Sequence, residues 1–351
     1  MSGTPTSPSH PIEQDWTVAF VMSRRIGDTL VSMVLVNNLM RHGIAVTVFS
    51  RHLDAMREWF PGVDIRPELG AAQARGELSR YDLVLHAYAN DVVGDTRAWH
   101  PRAWVMDHWP TYRQVKPMVD IQLDVCRDCF GLADPTRDNG LVVPLGAAGV
   151  VIRNRVIIHP TASDLHKQWL PVRFLALARR LRKQGYEPWF VVAPCERADW
   201  HWIEAQGERL VAYASLADVA AWLATAGVFV GNDSGLAHLA SNVGVPAVSL
   251  ALRPRIALRW RPGWAPALAI TAPPLMPGRW LREVSWKYLL PVSCVATAVE
   301  RLRLRMAQTA RAFGPEPAPV EAPLARTKPA RTRPPMLSVP DTLADPRTRT
   351  H

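Results

Sequence analysis

The chain reads as an α/β protein built from two doubly wound halves, and three observations lead there. From residue 16 onward, short β-branched and aromatic runs alternate with stretches of helical periodicity, the pattern of βαβ units and parallel sheets. The alternation lapses in a Gly-rich stretch between Gly140 and Asn154, then restarts at Arg155-Val-Ile-Ile-His159. At 351 residues the chain is long enough for two domains of ordinary size.

In order, Trp16–Ser23 reads as a first strand and residues 28–43 as a helix with Leu30, Met33, Val34 and Met40 on its apolar face. Residues 44–50 form the next strand, Leu53–Phe60 a helical stretch and Tyr81–Tyr88 a further strand. A Trp-rich segment, residues 98–117, interrupts the alternation before a helical stretch over Val119–Phe130. In the second half a helix covers Pro171–Gln184, a strand Glu187–Pro194, and Ser215 opens another helix as its cap. The strand Val228–Val230 runs into Gly-Asn-Asp-Ser-Gly and a helix that Asp233 or Ser234 can cap; a strand at residues 245–251 and a last helix over Val292–Phe313 follow. The domains are therefore 15–150 and 151–313, between a polar start (1–14) and a Pro/Arg-rich end (314–351) that are both expected to be disordered.

A formal net charge of +10 and a pI near 9.9 favour anionic partners without choosing among nucleic acid, lipid head groups and phosphorylated substrates. Arg326, Lys328, Arg331 and Arg333 in the tail supply part of it. No apolar run approaches the roughly 20 residues of a membrane span, and the N-terminus lacks the pattern of a signal peptide, so a cytoplasmic location is expected. Four cysteines, with Cys126 and Cys129 as the one CxxC, make neither a disulfide framework nor a paired zinc motif; reduced structural thiols are expected.

Four places can carry chemistry. Gly27-Asp28 falls where the first strand hands over to its helix, a favoured ligand position in open α/β sheets, although Asp28 also reads as an ordinary helix cap. Thr161, Ser163 and Lys167 follow the strand that opens the second half, where a lysine can meet a phosphate or simply face water. Glu196 ends a later strand. The turn Asp233-Ser234-Gly235-Leu236-Ala237-His238 leads into a helix whose unpaired N–H groups and positive dipole end suit a phosphate. Neither GxGxxG nor a P-loop is present.

Taken together, Ile26-Gly27-Asp28, Ser163-Asp-Leu-His-Lys-Gln-Trp169 and Gly231-Asn-Asp-Ser-Gly-Leu-Ala-His238 resemble glycosyltransferase family 9, the heptosyltransferases of lipopolysaccharide core synthesis, over about residues 16–312. The resemblance implies a GT-B fold, two Rossmann-like domains facing each other across a cleft. It implies transfer of a sugar, usually heptose from an ADP-sugar, to a lipopolysaccharide core or related anionic glycan with inversion. On that pattern Asp28 is the general base and Lys167 stabilises the leaving group. Thr161, Ser163, Lys167, Glu196 and residues 233–238 hold the donor, with no cofactor and no metal required. Arg97, Arg102, Arg113 and Lys116, among Trp99, Trp104 and Trp109, suit an anionic sugar acceptor or a packed loop. A monomer in peripheral contact with the anionic inner leaflet is expected, with no nucleic acid.

Two features depart from the family's pattern: Val34 stands where a proline is frequent, and the Pro/Arg-rich extension has no counterpart. The rival readings are another GT-B enzyme, such as a UDP-sugar epimerase or transferase, and a non-catalytic polyanion-binding protein.

Overall fold

The computed structural model describes residues 12–88, 93–147, 149–273, 275 and 277–312. The disorder expected for residues 1–11 and 314–351 lies outside the described residues. Ile12, expected within the disordered start, is instead buried in the first core.

Two wholly parallel sheets form. The first has β1 (Thr17–Val21), β2 (Ala45–Phe49), β3 (Asp64–Arg66), β4 (Leu83–His86) and β5 (Ala103–Val105) in the order β3-β2-β1-β4-β5. The second has β6 (Ile152–His159), β7 (Glu187–Val191), β8 (Arg209–Val211), β9 (Ala226–Asn232), β10 (Ala247–Leu250) and β11 (Ala267–Ile270) in the order β11-β10-β9-β6-β7-β8. Each sheet grows outward from its first strand, then resumes on that strand's other side. The order therefore reverses between β1 and β4, and again between β6 and β9, the points where open sheets take ligands.

Alternation places the strand residues. Val18 and Phe20 of β1 enter the core that faces the second half, while Ala19 and Val21 pack on the outer face with Phe49 and Val84. In β6, Ile157 faces that same inner core and Val156 and Ile158 face the outer one. The helix Ile26–Arg41 is buried along most of its length because it lies between its own sheet and the helices Met118–Asp124 and Gly235–Asn242. Gly43, at φ +81°, ends it in a conformation that favours glycine.

Two sequence expectations change. The Trp-rich segment does not interrupt the sheet but supplies its edge strand β5, and Trp104, Trp109 and Phe130 pack there at ring separations of 5.9–6.3 Å. β3, β11 and the helices Ala71–Leu78 and Arg279–Leu289 were not anticipated, being short or weakly patterned. Cys126 and Cys129 are buried, and burial pushes the Cys126 thiol up to about 12, in keeping with structural thiols. Among the described residues no helix is long and apolar enough to cross a membrane. Both halves lie within one compact unit.

Candidate active site

The first switch point is built from the ends of β1 and β4. The helix after β1 starts at Ile26, two residues earlier than its apolar pattern suggests, with Arg25 in the capping position. Asp28 is therefore not the cap but sits inside the first turn, where the dipole's positive end favours a carboxylate. It is buried; Ser23 Oγ donates to Oδ2 at 3.4 Å and Tyr88 OH to Oδ1 at 3.3 Å. Tyr88 follows β4 and meets Tyr112 edge-to-face, ring centroids 6.1 Å apart. Burial raises the pKa of both phenols, so they remain hydrogen-bond donors at neutral pH.

The second switch point is built from the ends of β6, β7 and β9. Asn232, the last residue of β9, is fully buried and staples the neighbouring loops. Its Oδ1 accepts from Trp169 N at 3.0 Å and its Nδ2 donates to Pro160 O at 2.7 Å. That staple sets the turn holding Lys167, whose Nζ meets Asp233 Oδ2 at 3.2 Å. Thr161 Oγ1 donates to Glu196 Oε2 at 3.0 Å, and the same oxygen accepts from Ala193 N at 2.9 Å. His159, beneath them, donates from Nδ1 to Val191 O at 2.9 Å; burial lowers its pKa and keeps it neutral.

Ser234 is the capping residue of the helix Gly235–Asn242, yet its side chain makes no capping bond, and no acidic residue occupies the first turn. Its buried Oγ finds no hydrogen-bond partner among the described residues, and neither does Nδ1 of His238, one turn further on. Burial takes the His238 imidazole down to about 4, against a weak opposing pull from Asp233. The ring is therefore neutral at pH 7, packed edge-on to Trp260 and Trp264 at 6.1 and 6.5 Å. This helix start presents unpaired N–H groups and a neutral imidazole, an environment suited to an anion.

The two helix starts meet. A Cβ added to Gly235 would stand 1.8 Å from Ile26 Cγ2 and 3.1 Å from Gly27 N; one added to Gly27 would stand 3.1 Å from His238 Cδ2. Glycine at both positions thus brings the Asp28 turn against the Asp233–His238 turn. Around this contact, Asn139 and Asn242 exchange amide hydrogen bonds at 2.7 and 3.0 Å. Arg259 reaches across to donate to Gln114 O and Tyr112 O at 2.7 and 2.8 Å.

The structure therefore gathers Asp28 with residues 233–238, and Thr161 with Glu196 and Lys167 beside them. Ser163 is exposed. The four cations expected on the acceptor side divide. Arg97 lies beyond β4 and pairs with Asp95 at 2.7 Å, and Arg113 donates to Asp107 O at 2.8 Å, both near the strand ends that carry Tyr88. Lys116 pairs with Asp124 at 2.7 Å. Arg102 is a correction: it precedes β5 and stacks over Trp16 at 4.7 Å, at the opposite ends of the strands from Asp28. Asn232, Tyr88, Tyr112 and Arg259 were missed. An asparagine closing an apolar strand could have flagged the first; nothing in the local pattern marks Arg259.

Comparisons with known proteins agree with this architecture. Residues 95–262 match the model of glycosyltransferase family 9 (heptosyltransferase). Lipopolysaccharide heptosyltransferase 3 of Escherichia coli is 30% identical over 162 residues, 43% of this chain and 47% of that protein, so the match spans about half the length of that curated relative. A family 9 glycosyltransferase from Veillonella parvula superposes with a TM-score of 0.66 at 15% identity, covering 84% of this chain and 100% of the other. The E. coli ADP-heptose lipopolysaccharide heptosyltransferase II gives 0.63 at 18% identity, over 83% and 99%. The fold is that of the GT-B heptosyltransferases.

Proposed function

We propose that this chain, which carries the glycosyltransferase family 9 match and fold, is an inverting glycosyltransferase. It moves a sugar, a heptose on the family's pattern, from an ADP-sugar to a hydroxyl of a lipopolysaccharide core or related anionic glycan. The supporting observation is the contact of two unlike helix starts, one holding a buried carboxylate and the other open to an anion.

In this reading the donor diphosphate lies on the N–H groups of the Gly235–Asn242 helix, with Ser234 Oγ and His238 Nδ1 finding partners on it. Asp233 aims Lys167 at the diphosphate, and Glu196, held by Thr161, faces the nucleoside. The acceptor hydroxyl gives its proton to Asp28 as its oxygen bonds to the anomeric carbon from the face opposite the leaving group. The bond from that carbon to the diphosphate oxygen breaks, and the configuration inverts. Charge appearing on the diphosphate meets Lys167 and the helix start, so these protein groups carry it without a metal. His238, being neutral, contributes a hydrogen bond rather than charge. Arg97, Arg113 and Lys116 are the cations proposed for the acceptor's acid groups; Arg102 is not.

Peripheral contact with an anionic leaflet from the cytoplasmic side is part of the proposal. Its support is the helix Arg279–Leu289, whose Trp280, Val284 and Tyr288 form one exposed stripe beside Lys287.

Calorimetric titration with ADP, UDP, GDP and their sugar conjugates tests the reading. ADP or an ADP-sugar binding to the wild type, more weakly to Lys167→Ala and nearly unchanged to Asp28→Asn, supports it. Preference for UDP would turn the assignment to another GT-B enzyme, and no nucleotide binding at all would sink the transferase.

A further inference from the structure

A cavity of about 260 Å³ opens at the carboxyl ends of β10 and β11, outside the site described above. Its polar wall is Arg253 and Arg255 after β10 and Arg279, Arg282 and Ser285 of the helix Arg279–Leu289, and the rest of the lining is apolar, Leu252, Ala272 and Leu289 among it. Four arginines lining one small cavity concentrate positive charge, and like charges repel unless something lies between them. Among the described residues one carboxylate answers them: Glu283 Oε1 meets Arg279 Nε at 2.8 Å and Arg253 Nη1 at 3.3 Å. Arg255 and Arg282 have no ion pair among the described residues. Two further donors in the wall are buried and unpartnered, Arg253 Nε and Ser285 Oγ. Arginines and a serine, the residue types that bind a phosphate oxygen cluster, thus line one space, and two of their buried donors lack a partner.

The cavity has a fixed relation to the donor turn. Trp286 is buried beneath the helix, and its Nε1 donates to His166 O at 2.9 Å, the residue next to Lys167. The cavity thus flanks the second switch point on the β10–β11 side, whereas Thr161 and Glu196 lie on the β6–β7 side.

We propose that this cavity is a second anion site, which takes a phosphate monoester group separately from the diphosphate turn. A phosphate there is held by Arg255 and Arg282, with Ser285 Oγ and Arg253 Nε donating to its remaining oxygens. Its volume exceeds that of one oxyanion, so it also accommodates part of whatever carries the phosphate. The site does not depend on which nucleotide sugar the neighbouring turn holds.

The test is calorimetric titration of the full chain with inorganic phosphate and with a hexose 6-phosphate, at low salt. The comparison set is wild type, the double variant Arg255→Gln/Arg282→Gln, Ser285→Ala and Lys167→Ala. Each forked charge-assisted contact carries enough free energy that its loss weakens binding roughly tenfold or more. The expected result is loss of one phosphate site in the double variant, weaker binding at that site in Ser285→Ala, and its retention in Lys167→Ala, which alters only phosphate held on the diphosphate turn. Tighter binding of the hexose phosphate assigns the group to a phosphorylated sugar. Equal or tighter binding of inorganic phosphate assigns it to the free ion. Phosphate binding that Lys167→Ala abolishes and the double variant retains places the ion on the donor turn and overturns the proposal, as does no phosphate binding at all. ADP titrations of the same proteins report on the transferase reading independently: ADP affinity should be unchanged in the double variant.

Discussion

In the first half, the helix after β1 begins at Ile26 and carries Asp28 in its first turn; in the second, the helix after β9 begins at Gly235 with no acid there and no side-chain cap. Both starts stand at the reversal of strand order, and both expose a dipole end equivalent to roughly half a positive charge. The first fills that end with its own carboxylate and surrounds it with Ser23 and Tyr88. The second leaves it open, adds Lys167, and keeps His238 neutral. On the proposed reading the same backbone device serves as a proton acceptor in one half and an anion receptor in the other, and the difference begins with a carboxylate inside the first helical turn of one and none inside that of the other.

Removing that aspartate is the most direct way to break the comparison. Asp28→Asn is expected to lower the rate of sugar transfer by about 10²–10⁴-fold while ADP affinity holds, checked by initial rates beside calorimetry. A variant with near-normal rates would show that the two starts do not divide the work in this way. Gly235→Ala attacks the contact itself: the added methyl collides with Ile26, and overpacking of this kind costs about 1–3 kcal/mol. Urea unfolding should show that loss, and the double variant Ile26→Ala/Gly235→Ala should regain part of it. Lys167→Ala should weaken diphosphate binding by roughly 1.5–3 kcal/mol, with Asp233 left unpaired beside the anion.

The subtlest test uses acid. His238 sits at about 4 in the folded protein against about 6.5 for an exposed imidazole, so the unfolded chain binds the extra proton first. Its share of stability is intact above pH 6.5 and declines as the pH falls toward 4, by about 2 kcal/mol between pH 7 and pH 5. Buried His159 acts in the same direction. His238→Asn should flatten that decline in urea midpoints measured across the range; an unchanged slope would locate the acid sensitivity elsewhere.

The alternation of apolar runs carries the fold because strand and helix periods are local properties, and every long element from β1 to the last helix stands close to its expected place. Short edge strands escape: β3 and β11 have three and four residues, too few for a period to show. The Asp233–His238 turn is readable because its residues are contiguous. The surroundings of Asp28 were not. Tyr88 is sixty residues away and Arg259 reaches in from the other half, so proximity there is a product of packing. The Trp-rich segment leaves two readings open, a sugar platform or a packed loop, for a related reason. Its tryptophans look like a sugar platform in one dimension, yet Trp109 is buried and Arg102 covers Trp16.

The apolar cluster between the sheets has a consequence for how the molecule is made and lost. Leu30, Val34 and Leu83 belong to the same buried cluster as Ile157, Phe229 and Leu239, so neither half closes its inner face without the other. A chain severed between residues 140 and 151 would yield two pieces that complement each other rather than two folded proteins. Heating should likewise melt both halves in one transition. The sheets are duplicated, but cooperativity is not.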